Sequence, residues 1–451
     1  MKFIINGTRF LYDLGIRRLS RGAAIRKFCS SMGLAYIKFA QILAMQNIGG
    51  IFTETDRQDI MSICDDCNPL PYREIRKVLI REYGTQYIRD NFRKIGRKPV
   101  GSASISQVHR AVLKSGTRVV LKVKRDDVVK SMDRDIRTIR VLSHRFGWLF
   151  GLHNRSASDA AFDYLSEWLL QETDFVHEVG NIRRYQEFAD SVNGKVPGCV
   201  DIVLPKVYRE HCTENIICME YIPYPTIFHM DSDNPRIREA FNSYLQLSFY
   251  ALLHDIPVVW HGDPHGGNVY VDSNGSIGFL DMGLLFEMSP EDTHMTRELF
   301  LCAYLGLHEK LYGMLKGYLK PGQDKEAFKK RLEEYCEGRP GKPVSSFFMD
   351  VVLICLDFDF KPPRFLFEMA KAFVCLNGAD CIYGNDVAGF ELLQAQVDEY
   401  LMRRCGKQVR KQAHECLDEV LSVLSGNPPA ISGMLRRGVN LLGQARETCS
   451  R

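Results

Sequence analysis

Two acids and an amide stand close together in the segment WHGDPHGGNVYVDSNGSIGFLDMG, residues 260–283. Asp263 and Asn268 are five positions apart, and Asp281 follows in Leu-Asp-Met-Gly after a turn signal at Asn274-Gly275. These residue types suit phosphoryl transfer, where the protein positions phosphates, neutralises charge and orients an acceptor. Asp263 could hold or deprotonate an acceptor hydroxyl. The Asn268 amide oxygen and the Asp281 carboxylate suit magnesium, a hard cation that takes oxygen ligands and keeps waters. A lone Asp-x-Gly is usually only a turn. Asp-Pro-His-Gly-Gly-Asn, an Asn-Gly hairpin and Leu-Asp-Met-Gly in that order are far more specific.

Such chemistry also needs a cation on the nucleotide phosphates. Lys122 lies in VVLKVKR, on the strand closing an upstream hairpin, where a kinase places the lysine that grips the α- and β-phosphates and pairs with a helix glutamate. The plain alternative is a solvated edge lysine, as expected for Lys124. Alternation puts both on one face, so pattern alone does not choose; the Val-x-x-Lys context favours Lys122. The usual glycine-rich loop is replaced by GSASISQ, residues 101–107, whose small residues still allow close phosphate approach but whose single glycine leaves a stiffer backbone.

Periodicity gives the elements that must carry these residues. Residues 1–94 read as mostly helical, with helical apolar spacing in MGLAYIKFAQILAMQ and again in YREIRKVLIREYG. From residue 99, PVGSASISQVHRAVLKSGTRVVLKVKR is alternating and β-branched with a turn at Ser115-Gly116, which reads as three strands. Helix returns over 126–190, and IVLPKVY and NIICMEYI read as two more strands, making a five-strand group. Beyond residue 235 helices dominate apart from the hairpin VYVDSNGSIGFLD. One helix is expected to start at Ser289-Pro290-Glu291-Asp292, where serine caps, proline suits the first turn and the acids suit the positive helix end.

The 451 residues are 45% hydrophobic and 25% charged, ordinary for a globular protein, and the formal net charge of +4 calls for no nucleic-acid partner. Residues 1–30 nonetheless hold seven bases, Lys2, Arg9, Arg17, Arg18, Arg21, Arg26 and Lys27, against Asp13. Phe3, Ile4, Phe10, Leu11 and Leu14 fall on one helical stripe beside them, so reversible attachment to an anionic membrane is expected. The plain alternative is a stripe packed on the body of the protein. No run reaches the ~18 apolar residues of a membrane span, and no secretory signal is visible. Fourteen cysteines in that context suggest reduced thiols in a cytosolic setting. Cys64 and Cys67 form a single Cys-x-x-Cys without further ligands, so no zinc site is expected, and Cys218, Cys302, Cys355 and Cys375 read as core.

Together these residues resemble the UbiB-type atypical kinases, also called the AarF or ADCK type, from about residue 30 to residue 400. KFAQ, with Lys38 and Gln41, is similar to the family's Lys-x-Gly-Gln. GSASISQVH resembles its alanine-rich loop and the Ser-Ile-x-Gln-Val-His that follows, which implies nucleotide contacts at Gly101, Ser102, Ala103 and Ser104. VVLK resembles Val-Ala-Val-Lys, and ETDF resembles Glu-x-Asp with Glu172 and Asp174. Glu178, six residues after Glu172, is then the implied partner of Lys122. CMEYI resembles the hinge, with Glu220 and Ile222 implied at the nucleotide. HGDPHGGN and DMG resemble the catalytic loop and the Asp-Phe-Gly. The chain departs from the pattern at Ala40, which stands for a glycine and adds a methyl where that helix would pack. It departs again at Gly266, which stands for a proline and should loosen the catalytic loop, and at Met282, which keeps an apolar side chain in place of phenylalanine.

The resemblance implies an α+β, two-lobed protein-kinase-like fold. A helical N-terminal extension (1–94) would precede an N-lobe with a helical insertion (95–222) and a C-lobe with C-terminal helices (223–451). It implies ATP and magnesium as cofactors. In the family the Lys-x-Gly-Gln helix lies across the site, where it meets the Glu-x-Asp pair and blocks a peptide acceptor. That favours a small molecule related to prenyl lipids or quinones, and a role in ubiquinone-like lipid biosynthesis or handling. The absence of Ala-Pro-Glu after DMG agrees. Peripheral membrane association from the cytoplasm and a homodimer are further expectations. The alternatives are a phosphotransferase of the aminoglycoside or choline kinase type and a non-catalytic, ATP-responsive lipid-binding scaffold.

Overall fold

The computed structural model describes residues 2–404 except 16–18, 34, 38, 41–52, 62–68, 104, 127–131, 133, 142–162, 165, 232–233, 320–321, 339–345, 359–361 and 384–389. Lys38, Gln41, Ser104 and the Cys64/Cys67 pair lie outside the described residues.

The N-terminal helices are α1 (Lys2–Gly15), α2 (Arg21–Met32), α3 (Glu54–Met61) and α4 (Tyr72–Asn91). Ser20 caps α2 by accepting from the Ala23 amide, and its hydroxyl donates to Asp59 of α3. Gly22 lies where a β-carbon would come within 2.6 Å of the Asp56 Cα, so α2 and α3 approach closely through that glycine.

Four antiparallel strands form the first sheet in the order β1-β2-β3-β5, with β1 (Phe92–Ser102), β2 (Ser106–Leu113), β3 (Arg118–Lys124) and β5 (Ile216–Glu220). The β2–β3 turn uses Gly116 at φ +91°, a conformation glycine adopts without a Cβ penalty. Alternation along β3 sorts its side chains. Val119, Leu121 and Val123 pack under Ile75, Val78 and Leu79 of α4. Val120 faces the opposite layer with Ile105, Ile217, Met219 and Phe175, the first residue of α5 (Phe175–Val192). Ala35, Tyr36, Ile37 and Ala40 are helical and belong to that second layer, so the segment preceding and including part of KFAQ packs on the sheet.

The fifth expected strand, IVLPKVY, is split between two sheets: Val207 bridges Met219 of β5 antiparallel, with the Tyr208 amide donating to the Cys218 carbonyl at 2.9 Å and the Glu220 amide to the Lys206 carbonyl at 2.8 Å. Its β4 is only Ile202–Val203 and runs parallel to the C-lobe hairpin strand β8 (Ile277–Phe279) in the order β4-β8-β7, with β7 at Val269–Val271. Pro205 lies between the two pairings, two residues past Val203, and a residue without an amide hydrogen cannot donate to a ladder.

In the C-lobe, α6 (Pro235–Leu253) runs through the core, and β6 (Val259–His261) pairs antiparallel with β9 (Leu285–Glu287). The β7–β8 turn has Gly275 at φ +90°, and the Asp272 carboxylate accepts from the Asn274 and Ser276 amides. Helix α7 (Pro290–Tyr304) starts at the expected Ser289, which caps the Asp292 amide. The later helices are α8 (His308–Leu315), α9 (Lys325–Glu337), α10 (Phe347–Asp357), α11 (Arg364–Tyr383) and α12 (Phe390–Arg404). The large core gathers Phe241, Phe249, Trp260, Phe300, Phe328, Phe348 and Phe373 from these elements. Cys218, Cys302 and Cys355 are buried within the cores. The molecule is thus an α+β, two-lobed, kinase-like fold with helical additions at both ends.

Candidate active site

β3, α5 and the segment after β8 converge on one charged cluster. The Lys122 Nζ donates to both oxygens of Glu178, at 2.7 and 2.9 Å, and to Oδ2 of Asp281 at 2.8 Å. Lys124, on the same face of β3, instead donates to the Glu214 carbonyl at 2.8 Å and lies 4.8 Å from the Phe175 ring centroid. Glu178 sits in the first turn of α5, whose N-cap is Asp174; the Asp174 carboxylate accepts from the His177 amide at 2.9 Å. The cap fixes the helix start, and three residues beyond Glu178 the Asn181 amide donates to the Met282 carbonyl at 2.8 Å. The helix thereby holds both the ion pair and the backbone of Asp-Met-Gly.

Charge follows from this geometry. Burial disfavours the Lys122 ammonium, but Asp281 and Glu178 outweigh it and raise its pKa, so Lys122 stays charged. Burial pushes Glu178 up to about 7 against the pull of Lys122. Burial also works against the Asp281 carboxylate, but the charge and hydrogen bond of Lys122 and the Gly283 amide hold it below the usual range. Asp281 keeps 38% of its side chain exposed, so it opens onto the cleft. Asp281 is therefore the carboxylate that stays ionised at the cleft, an oxygen that favours a cation.

The catalytic-loop residues are pinned from β6. His261 is buried, donates from Nε2 to the Asp281 carbonyl at 2.8 Å, and accepts at Nδ1 from the Asp263 amide at 3.0 Å. Both bonds require the neutral ring, and burial pushes its pKa down to about 4. Asn268 donates from Nδ2 to the Asp263 carbonyl at 3.3 Å, and its own carbonyl accepts from the Leu280 amide at 2.8 Å, which brings it alongside Asp281. A β-carbon on Gly266 would lie 2.9 Å from the Phe228 ring, which stacks on His265, so the glycine lets an aromatic close over the loop.

Glu172 is brought to this site: a β-carbon on Gly283 would sit 3.5 Å from the Glu172 Cα. Asp174 is instead turned to its capping role. At the loop between β1 and β2, Ser102 accepts from Arg125 at 2.8 Å, the Ala103 amide donates to the Ser106 carbonyl at 2.9 Å, and Gly101 is exposed. Gln107 and His109 of the same sequence motif point the other way. Gln107 exchanges hydrogen bonds with the Leu70 backbone at 2.8 and 3.3 Å, and also donates to His109 Nε2 at 3.0 Å. Glu220 is exposed at the end of β5 and accepts from the Lys206 amide at 3.2 Å, while Ile222 is half-buried just beyond; neither reaches the Lys122 cluster.

Three residues that the sequence did not single out are part of the site. His261 had a signal in its place two residues before Asp263, and Asn181 in its helical spacing from Glu178. Lys371 had little. It comes from α11, and its Nζ donates to the Gly262 carbonyl at 2.9 Å and to Asp263 Oδ1 at 3.3 Å.

The lobes, the buried lysine–glutamate pair and the pinned Asp-containing loop define a protein-kinase-like protein. A family model described as the ABC1 atypical kinase-like domain matches residues 62–314, and the chain belongs to that family. Among curated proteins it is similar to an uncharacterized aarF domain-containing protein kinase, chloroplastic, of Arabidopsis thaliana, at 28% identity over 69% of this chain and 57% of that one. It is similar to the chloroplastic protein Activity of BC1 Complex Kinase 1 of the same plant, at 26% over 72% of this chain and 47% of that one. An ABC1 family protein of Schizosaccharomyces pombe is 29% identical over 62% of this chain and 50% of that one. The chain spans about half the length of these relatives. A solved Mycobacterium tuberculosis structure in complex with erythromycin matches 74% of this chain and 79% of that one at 19% identity and a TM-score of 0.43, a likeness too loose to add to the argument.

Proposed function

We propose that this chain binds ATP with magnesium and transfers or hydrolyses the γ-phosphoryl group, in support of prenyl-quinone lipid biosynthesis or handling. The observation that carries the nucleotide part is Lys122, buried and fixed between Glu178 and Asp281. A desolvated ammonium held by a helix glutamate is the arrangement that grips α- and β-phosphates. Asn268 and Asp281 are the residues that would hold magnesium: one amide oxygen and one ionised carboxylate, on neighbouring segments of the cleft, fit an ion that keeps several waters. Magnesium would supply neutralisation of the phosphate oxygens. Asp263 orients the acceptor hydroxyl or water and takes its proton as the new O–P bond forms; the β–γ bridging bond breaks and ADP leaves with that electron pair.

The backbone of the loop at 101–103 and of the hinge at 220–222 fits the nucleotide side, and Glu172 beside Gly283 fits a contact to the segment carrying Lys38 and Gln41. The lipid class rests on the family resemblance, and the anionic membrane on the N-terminal bases. The test is ATP hydrolysis by the purified chain with magnesium, with and without a prenylated phenol mimic and anionic liposomes. Turnover raised by both additions is expected. Nucleotide-dependent stabilisation without turnover would favour the scaffold, and turnover raised by a polar amine or alcohol but not by lipid would favour the small-molecule phosphotransferase.

A further inference from the structure

The catalytic loop His-Gly-Asp-Pro-His-Gly-Gly-Asn contains no lysine or arginine. Among the described residues its nearest cations come from outside the run or from its own imidazole. His265 lies with Nε2 3.9 Å from Asp263 Oδ2, while its Nδ1 accepts from the Gly267 amide at 3.1 Å. The other group is Lys371, 108 residues further along the chain, on a helix whose surrounding residues Phe367, Met369, Ala370, Ala372 and Phe373 are all buried. Placing an ammonium among such neighbours is costly unless it is paired and hydrogen-bonded. Here it is both. The Gly262 carbonyl at 2.9 Å and Asp263 Oδ1 at 3.3 Å receive it, and the side chains of Lys371 and Asp263 keep only 12% and 14% of their surface.

We propose that Lys371 is the positioning residue of the catalytic loop, holding Oδ1 of Asp263 so that Oδ2 faces the acceptor. This rests on the phosphotransfer reading above. A carboxylate with two equivalent oxygens rotates about its last torsion, and its use as an acceptor-orienting group requires one oxygen to be committed elsewhere. The second bond, to the Gly262 carbonyl, ties the same ammonium to the backbone one residue earlier, so loop and carboxylate are set together. Gly262 itself cannot carry a substitute cation. A β-carbon there would meet Leu284 Cγ at 2.5 Å and its carbonyl at 3.0 Å. Among the described residues the site takes a lysine from α11, which also makes the C-terminal helices part of the catalytic apparatus rather than a passive cover.

The experiment is steady-state ATP hydrolysis by the full chain with magnesium, for wild type, Lys371→Met, Lys371→Arg, Asp263→Asn and the double variant Lys371→Met/Asp263→Asn. Misplacing one catalytic group by about 1 Å costs up to roughly 100-fold. Lys371→Met should lose about 10- to 100-fold in kcat with the KM for ATP changed less than about 3-fold. Lys371→Arg should recover most of that loss. The double variant should be no slower than Asp263→Asn alone, because a residue that acts through Asp263 has nothing left to position. An unchanged kcat in Lys371→Met, a loss that multiplies onto that of Asp263→Asn, or a fall in thermal stability and nucleotide affinity that arginine fails to restore would each overturn the assignment. An inactive wild type would instead overturn the phosphotransfer reading on which it stands.

Discussion

Lys122 and Lys124 sit two positions apart on one face of β3, and a strand's alternation could not separate them. What separates them is tertiary: Glu178 reaches Lys122 from α5, while Lys124 finds the Glu214 carbonyl and the Phe175 face at the sheet's margin. The apolar flank of Val-x-x-Lys was the legible part of that choice. Nucleotide titration should therefore show Lys122→Met weakening ATP binding by about 10- to 100-fold, the loss of a charge-assisted contact worth ~1.5–3 kcal/mol, and Lys124→Met changing it less than about 3-fold. Equal losses would mean that the buried ammonium does not meet phosphate. Asp281→Asn removes the carboxylate that shares Lys122 and faces the cleft. The thermal shift given by ATP with magnesium should vanish in that variant, while the shift with ATP alone should change little; a full shift with magnesium would remove Asp281 from the metal site. Lys371 marks the limit of reading at this scale. A lone lysine in an apolar helix gave a hint of a buried partner, but its partner lies 108 residues away and no local spacing points to it.

At the scale of elements, the sequence motif GSASISQVH divides between two faces of the sheet. The loop half turns toward the cleft, and the strand half fastens the N-terminal helices. Gln107 grips the Leu70 backbone just ahead of α4, and His109 donates from Nδ1 to the Gly96 carbonyl while its Nε2 accepts from Gln107. Alternation implied that neighbouring residues would face opposite ways, but not which face would be the nucleotide's, since both faces of this sheet are covered. Gln107→Ala leaves half-buried backbone groups of Leu70 without this partner and should cost about 1 kcal/mol in denaturant unfolding, with nucleotide affinity of the folded fraction retained. His109 gives the pH dependence its sign. Burial lowers its pKa below the ordinary ~6.5, the Gly96 bond opposing. Below that ordinary value the unfolded chain binds the proton more readily than the folded one, so stability is lost as pH falls from about 6.5 toward the lowered value. His261 adds to the same slope. Glu178, raised to about 7, opposes it, so the check is the difference between variants: from pH 7 to pH 5 the wild-type denaturation midpoint should drop relative to that of His109→Gln, and identical profiles would mean the ring titrates normally. The segment IVLPKVY reads as one strand but divides between two sheets for a related reason. Its β-branched residues suit a strand in any sheet, and only the distant partners Ile277 and Met219 decide which end joins which.

Across the whole molecule, the order of elements was legible because each rests on local patterns: the Asn-Gly turn, the Ser-Pro cap, the alternation of β3. The way the two ends close on the kinase-like body was not, because it depends on packing between segments far apart in the chain. The N-terminal helices are a case with a functional consequence. Phe10 of the proposed membrane stripe packs on Phe28 of α2 at 5.7 Å, and Lys27 forms an ion pair with Asp13 at 2.7 Å. The side chains of Phe3, Ile4, Leu11 and Leu14 lie outside the described residues. An ion pair internal to the segment changes no net charge, so residues 1–30 keep their excess of bases. Each base near an anionic surface contributes about 1 kcal/mol, fading over a Debye length of ~10 Å at 0.1 M salt. Among the described residues no helix is long and apolar enough to cross a membrane, so any attachment through them is of this surface kind. The full chain should co-sediment with vesicles containing anionic lipid at low salt and be released at high salt, whereas a chain beginning at Ser30, without α1 and nearly all of α2, should stay in the supernatant. If the shortened chain pellets equally well, or if salt leaves the full chain on the vesicles, Phe10 and its neighbours serve to pack the helices onto the body and the membrane anchor lies elsewhere.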